Sequence, residues 1–242
     1  MKLKYISFVA FAMTLSLSSC YDLNRFPGDQ LSNEKFYRNE EHAKEAMMAV
    51  YNQMQKEDVF GLQFAMDGLG SIAMGYDPQS YQTIQRGTYD VKNGRVLGKW
   101  QNLYEGIARA NGVLQNVDRC QMSDELKVQY KAEAKFMRAL YYFTLMDFFG
   151  GVPIYDESVI VSESYSEMKN KRESIENVRA FILNDLKEAA DKLPEAWDKA
   201  NYGRATKYAA LAQMGKVYLY AKDYQHAKDC FQQVISSGKY AL

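Results

Sequence analysis

The sequence predicts an all-α fold built from helix pairs and interrupted by one long irregular loop. Three observations lead to this prediction. Apolar residues recur at the spacing of one helix face in several segments, and residues 206–236 carry a helix-pair repeat. Residues 60–99, in contrast, hold seven of the 15 glycines and show no helical period. Lys+Arg and Asp+Glu both total 30, so no net charge favours binding to nucleic acid.

The first residues are typical of a bacterial lipoprotein signal peptide. Two lysines precede an apolar run that ends at Leu17, and this run is shorter than the ~20 residues that span a bilayer. Small residues then lead into Cys20, whose thiol would take a diacylglycerol and become the first residue after cleavage. We therefore expect a signal peptide over residues 1–19 and a lipidated tether over residues 20–32. A plain secretory signal with an incidental cysteine is the alternative.

The helical domain is expected over residues 33–242. Asn39 is placed to cap a first helix that opens with two acidic residues. Ser123 and Ser174 are placed to cap two later helices, and Gly150 is placed to end the helix between them. The spacing of Trp100, Tyr104, Ile107, Asn111 and Leu114 predicts one further helix, with the first three in the core.

The last two helices, expected over 206–221 and 224–236, have the spacing of a tetratricopeptide unit. Small residues in this pattern let two helices approach, and large residues fill the space between them. The pattern is formed by Leu211, Met214, Gly215, Tyr218, Ala227, Phe231 and Val234. The fold class is therefore all-α, with tetratricopeptide-like repeats and a long irregular loop insertion.

The loop over residues 60–99 supplies the candidate ligand-binding residues. A loop of this length inside a compact domain is functional or disordered in most cases, and its aromatic content favours function. Tyr76 and Tyr81 lie on either side of an Asp77–Pro78 turn that would expose their rings. A flat ring with a hydroxyl suits the C–H face and the hydroxyls of a sugar. The same rings would alternatively pin the loop to the helices.

The remaining reactive residues form no recognisable catalytic or metal-binding pattern. His42 and His226 lack ligand-spaced partners, so no metal site is expected, and no cofactor-binding motif is present. Glu133 and Arg138 are expected to make structural ion pairs. The loop carboxylates would form a glycosidase pair only at a separation of ~5 to 9.5 Å, which a sequence does not reveal. Cys120 and Cys230 are interpreted as free thiols, with a bridge between them as the alternative.

Three segments in order resemble the SusD/RagB family. Residues 100–111 read W-x₃-Y-x₂-I-x-R-A-N; residues 132–153 read AEAKFMRALYYF followed by FGGVP; and residues 203–207 read GRATK. The resemblance implies a surface-exposed lipoprotein of the outer membrane of Bacteroidota, without catalytic activity or cofactor. It also implies that the protein captures glycans, or in some members peptides, and passes them to a SusC-like TonB-dependent transporter. The ligand surface of such proteins is built from inserted loops.

Family members are much longer than this chain, so we expect it to lack a C-terminal half that carries part of the ligand surface. The rival hypothesis is a tetratricopeptide scaffold that binds only protein or peptide partners. The long aromatic loop favours glycan capture over this scaffold, which would need only tight helix turns. A surface hydrolase is a third hypothesis. The sequence does not identify the glycan or peptide.

Overall fold

A computed structural model describes residues 36–61, 81–159 and 171–240, and seven α-helices lie within these ranges. They are α1 Glu40–Asn52, α2 Tyr81–Gln85, α3 Gly94–Asn116, α4 Asp124–Phe149, α5 Ile175–Lys192, α6 Lys207–Tyr220 and α7 Tyr224–Ser236. All seven belong to the compact unit Tyr37–Leu242. The described ranges contain no strand beyond a single parallel bridge between Asn39 and Gln121. The predicted all-α fold is confirmed for these residues.

Polar side chains begin α1, α4, α5 and α6 where the sequence predicts. The Asn39 side chain accepts a hydrogen bond from the backbone nitrogen of His42 at 3.0 Å. Ser123, Ser174 and Thr206 accept equivalent bonds at the starts of α4, α5 and α6. Each bond satisfies a backbone donor that the first turn leaves without an intrahelical partner. Gly150 ends α4 with a φ of 72°, a left-handed conformation that glycine adopts without a Cβ clash.

The helices pack in chain order. Helix α3 packs on α4, α4 on α5, α5 on α6 and α6 on α7, while α1 lies against α3 and α4. Glycines permit two of the closest approaches, because a Cβ on Gly106 would lie 2.6 Å from the Tyr141 ring and one on Gly215 would lie 2.5 Å from the Phe231 ring. Gly215 therefore has the role predicted by the tetratricopeptide spacing.

The irregular segment is shorter than the sequence predicts. Helix α3 begins at Gly94, six residues before Trp100, because the Asn93 side chain accepts hydrogen bonds from the backbone nitrogens of Arg95 and Val96. Residues 81–85 form α2, and residues 57–61 form a single π-helical turn. The prediction of a loop is therefore wrong for these parts of 60–99.

Two expectations about burial are also corrected or refined. Of the three side chains predicted in the core of α3, Ile107 is buried, but Trp100 and Tyr104 are only half-buried. The prediction fails for these two rings because they pack against Phe149, Tyr142 and Tyr155, which leave part of each ring accessible to solvent. Cys120 and Cys230 are both buried and free, so the bridge is excluded and the free-thiol interpretation is confirmed.

Candidate functional site

Four aromatic rings gather where α3 begins and α4 ends. Trp100 packs edge-on against Phe149 with ring centroids 5.1 Å apart, and it contacts Tyr104 at 5.0 Å. Phe148 lies beside Phe149 and is 45% exposed, while Trp100 and Phe149 are half-buried. We call this group of Trp100, Tyr104, Phe148 and Phe149 the aromatic end. Trp100, Tyr104 and Phe149 pack against one another at its base, while Phe148 reaches solvent.

A buried lysine lies beneath this group. Lys99 is 5% exposed, and its Nζ is 4.4 Å from the centroid of the Phe148 ring. The same nitrogen donates a long hydrogen bond of 3.4 Å to the carbonyl oxygen of Val59. Burial lowers the pKa of Lys99 to about 8, and the nearby carboxylate of Asp58 only partly opposes this effect. A desolvated ammonium group next to an exposed ring is unusual for a purely structural lysine.

Further polar groups border the aromatic end. Arg172 is exposed and donates to the carbonyl oxygen of Phe149 at 3.0 Å. Arg95 pairs with Glu57 at 2.9 Å and with Asp58 at 3.3 Å. Arg172 thus contacts the backbone of the aromatic end directly, and Arg95 is linked to it through Asp58, the carboxylate near Lys99.

Arg95 also covers Tyr81. Its guanidinium carbon is 4.8 Å from the centroid of the Tyr81 ring, and Tyr81 is only 4% exposed. The expectation that the Asp77–Pro78 turn exposes Tyr81 is therefore wrong, because α2 turns this ring inward under Arg95. Tyr76 lies outside the described residues, as do Cys20 and the predicted tether.

Hydrogen bonds from α3 and α4 hold the segment that follows α4. Tyr104 donates from its hydroxyl to the carbonyl oxygen of Pro153 at 2.7 Å. Asn111 donates to the carbonyl oxygen of Tyr155 at 3.0 Å, and the backbone nitrogen of Tyr155 donates to the Tyr142 hydroxyl at 2.7 Å. Several residues of the W-x₃-Y-x₂-I-x-R-A-N and FGGVP segments thus fix the chain beside the aromatic end.

A buried arginine strengthens this arrangement. Arg138 is 2% exposed and makes two hydrogen bonds to Asp185, at 2.7 and 2.9 Å. It also donates to Asn111 and to Glu157, both at 2.6 Å. Burial alone would raise the pKa of Glu157, but the hydrogen bond from Arg138 outweighs this and the pKa is lowered. Arg138 is therefore a structural residue, as predicted.

Glu133 forms a second buried pair, with Arg204. Glu133 is fully buried and accepts two hydrogen bonds from Arg204, one of them at 2.9 Å, and one from the Tyr51 hydroxyl at 2.8 Å. The Arg204 guanidinium lies 4.1 Å from the Trp197 ring and 5.1 Å from the Tyr130 ring. The predicted structural role of Glu133 is confirmed, because this cluster joins α1 and α4 to the segment that enters α6.

The described residues offer no group of three or more His, Cys, Asp or Glu side chains that would hold a metal ion. Within the same ranges, no helix combines the length and apolar character needed to cross a membrane.

Comparison with known proteins decides the family. Residues 28–219 match the family model SusD-like, described as starch-binding associating with outer membrane. The chain belongs to the SusD-like family. It is 25% identical to SusD-like protein P25 and 30% identical to SusD-like protein P2, both of Formosa agariphila, over 93% and 98% of its own length. It spans less than half of these relatives, 45% and 47% respectively.

A solved structure is similar to this SusD-like chain in fold as well as in sequence. A laminarin-binding SusD-like protein matches with a TM-score of 0.73 and 30% identity, over 82% of this chain and 44% of that one.

The aromatic end was only partly foreseeable. The sequence singled out Trp100, Tyr104 and Phe149, but it assigned the first two to the core. Lys99, Phe148 and Arg172 were missed. An adjacent pair of Phe residues before a glycine helix end is a usable signal, because one of two neighbouring helical side chains commonly faces solvent.

Proposed function

We propose that this chain captures glycans on the outer surface of the outer membrane and passes them to a SusC-like TonB-dependent transporter. The observation that carries the glycan part is the aromatic end, where partly exposed rings lie beside polar groups. The laminarin-binding relative and the family description support the same ligand class. A peptide ligand is the alternative within the same role.

The chemistry of the aromatic end suits a sugar. One face of a pyranose ring presents C–H groups, and these pack against the face of an aromatic ring such as Phe148 or Trp100. The hydroxyls around the sugar need donors and acceptors, which Arg172 and the Arg95–Glu57 pair provide nearby. The hydrogen bonds to residues 153–155 keep the base of the site in place, so little order has to be gained on binding.

We propose binding without catalysis. The two carboxylates nearest to Arg95 of α3, Glu57 and Asp58, both pair with its guanidinium group. A glycosidase needs two carboxylates that flank the scissile bond, and both of these carboxylates accept hydrogen bonds from Arg95 instead. This pairing supports a carboxylate role in orienting Arg95.

The glycan proposal is tested by measuring whether the purified chain is retarded in native gels that contain laminarin or starch, and by calorimetry with their oligosaccharides. We expect retardation by at least one polysaccharide, with no release of reducing sugar over the incubation. Release of reducing sugar would show a hydrolase. Binding to peptides and to none of the polysaccharides tested would favour the scaffold hypothesis.

The anchor proposal depends on Cys20. A bacterium that expresses the chain should incorporate labelled palmitate into it, and Cys20→Ala should lose the label completely. Cys120→Ala is the matched control, since that thiol is buried and should leave labelling unchanged. Equal labelling of the Cys20→Ala variant would remove the anchor from the proposal.

Tyr76 also remains a proposed ligand residue. If the segment that contains it contributes to capture, Tyr76→Ala should weaken glycan binding by roughly five- to a hundredfold, as truncation of a stacked aromatic does in other sites. Tyr81→Ala is predicted to act differently. Because the Tyr81 ring is buried and packs under the Arg95 guanidinium, its loss should lower the stability of the fold. Thermal melts and binding isotherms on both variants separate these two effects.

A further inference from the structure

The position of Lys99 is not explained by packing alone. Lysine is rarely buried without a close carboxylate, yet Lys99 is 5% exposed and its resolved hydrogen bond is a long one to a carbonyl oxygen. A methionine or leucine at this position would fill the same space without the cost of desolvating a charge. The presence of a lysine at this position therefore indicates that its positive charge has a role in the protein.

The Phe148 ring is the group that Lys99 contacts from α4. A cation 4.4 Å from a ring centroid is attracted by the negative face of that ring, and the attraction is larger when the cation is removed from water. Phe148 lies in the last turn of α4 and is 45% exposed, so packing restrains it less than a core phenylalanine. The ammonium group supplies a restraint on one face of the ring.

We propose that Lys99 is a positioning residue, whose ammonium group holds the Phe148 ring in the orientation that the glycan site presents. This inference rests on the proposed function for the use of the ring, but the restraint itself can be measured without a glycan. Lys99 acts through Phe148 and need not touch the ligand.

The charged groups around Lys99 set the conditions under which the restraint works. Asp58 faces it from the 57–61 turn, and this carboxylate is shared with Arg95 of α3. From α4 it meets the neutral Phe148 ring, and the neighbouring Asp147 is exposed. Because burial lowers the pKa of Lys99 to about 8, its charge is lost over a mildly alkaline range in which Arg95 keeps its own. The restraint should weaken over that range.

The test places 4-fluorophenylalanine at position 148 of the whole chain and follows its fluorine resonance from pH 6.5 to 9.5. We expect one narrow line at pH 6.5 that shifts with a midpoint near pH 8 and broadens as the ring is released. Lys99→Met should give the released signal at every pH, and Lys99→Arg should keep the narrow line at pH 9.5, because arginine stays charged. Circular dichroism confirms that each variant is folded.

A resonance that is the same in all three proteins at every pH would overturn the inference.

A second experiment measures the binding of laminarin or starch oligosaccharides, which have no ionisable groups of their own. Their affinity for the wild type should fall about two- to fivefold between pH 7 and 9.5, the size of one cation–π contact, and Lys99→Arg should flatten this profile. A wild type that binds glucan with a flat profile also contradicts the inference. Absence of glucan binding at any pH alongside a titrating fluorine signal would instead remove the proposed function and leave the restraint intact.

Discussion

Two of the clusters that place a cation on an aromatic ring of α4 lie about 27 Å apart, judged from the 1.5 Å rise per residue of a helix between Tyr130 and Phe148. In one, Arg204 lies between Trp197 and Tyr130 and makes two hydrogen bonds to the buried carboxylate of Glu133. In the other, Lys99 lies against Phe148. Its nearest carboxylate, that of Asp58, is already paired with Arg95.

The two clusters differ in the way expected if the first is structural and the second belongs to the proposed ligand site. The charge of Arg204 is paired and its ring neighbours are largely covered, as expected of groups that join helices. The charge of Lys99 is desolvated without an equally close carboxylate, and its ring neighbour reaches solvent. Local features that cost stability without an evident structural gain are common at functional sites. The comparison therefore supports the proposal that the aromatic end is the ligand surface.

The largest expected effect is at the paired cluster. Glu133→Ala would leave the largely covered guanidinium group of Arg204 and the Tyr51 hydroxyl without their carboxylate, and it should lower the free energy of unfolding by about 3 kcal/mol. Denaturant unfolding followed by circular dichroism measures this change. Glu188→Ala is the matched control, because Glu188 pairs with Lys135 at the surface and its loss should cost less than about 1 kcal/mol. Equal losses in both variants would show that the buried pair has no special role.

A smaller effect of opposite sign is expected at Lys99. Its pKa in the folded protein, about 8, lies below its ordinary value, so above pH 8 the unfolded chain holds a proton that the folded protein has released. The stability contributed by this group therefore rises with pH toward the ordinary lysine pKa, and it is lowest at neutral pH and below.

Lys99→Met should consequently be more stable than the wild type at pH 7, by on the order of 1 kcal/mol after allowance for solvent screening. The advantage should shrink between pH 8 and 10. Unfolding curves for both proteins at pH 7, 8.5 and 10 give the difference directly. A Met variant that is less stable than the wild type at pH 7 would mean that the ammonium group stabilises the fold, contrary to the comparison.

Much of the helical framework was predictable because its signals are local. A capping side chain such as Ser123 or Ser174 satisfies backbone donors only three residues away, and Gly150 ends a helix by its own conformational freedom. The close approach at Gly215 was also predictable, because it occurs between α6 and α7, which a short turn joins. The tetratricopeptide spacing reflects the same kind of short-range packing between neighbouring helices.

The candidate site was less predictable because it is built from residues distant in sequence. Lys99 and Phe148 are brought together only by the packing of α3 on α4, and no spacing pattern within either helix indicates the contact. The expected exposure of Tyr81 failed for a similar reason. Arg95 covers one face of its ring, and the sequence placed Arg95 in a loop, whereas the Asn93 cap places it in a helix.

The central claim, that the aromatic end binds the glycan, is tested most directly by comparing two exposed aromatic residues. Phe148→Ala removes a ring of the aromatic end, whereas Tyr202→Ala removes a ring that is 75% exposed near the Arg204 cluster. Calorimetry with the glucan that the wild type binds should show a loss of about five- to a hundredfold for Phe148→Ala, as for other stacked aromatics, and less than about a twofold change for Tyr202→Ala. Unchanged affinity in Phe148→Ala, with both variants folded, would contradict the claim.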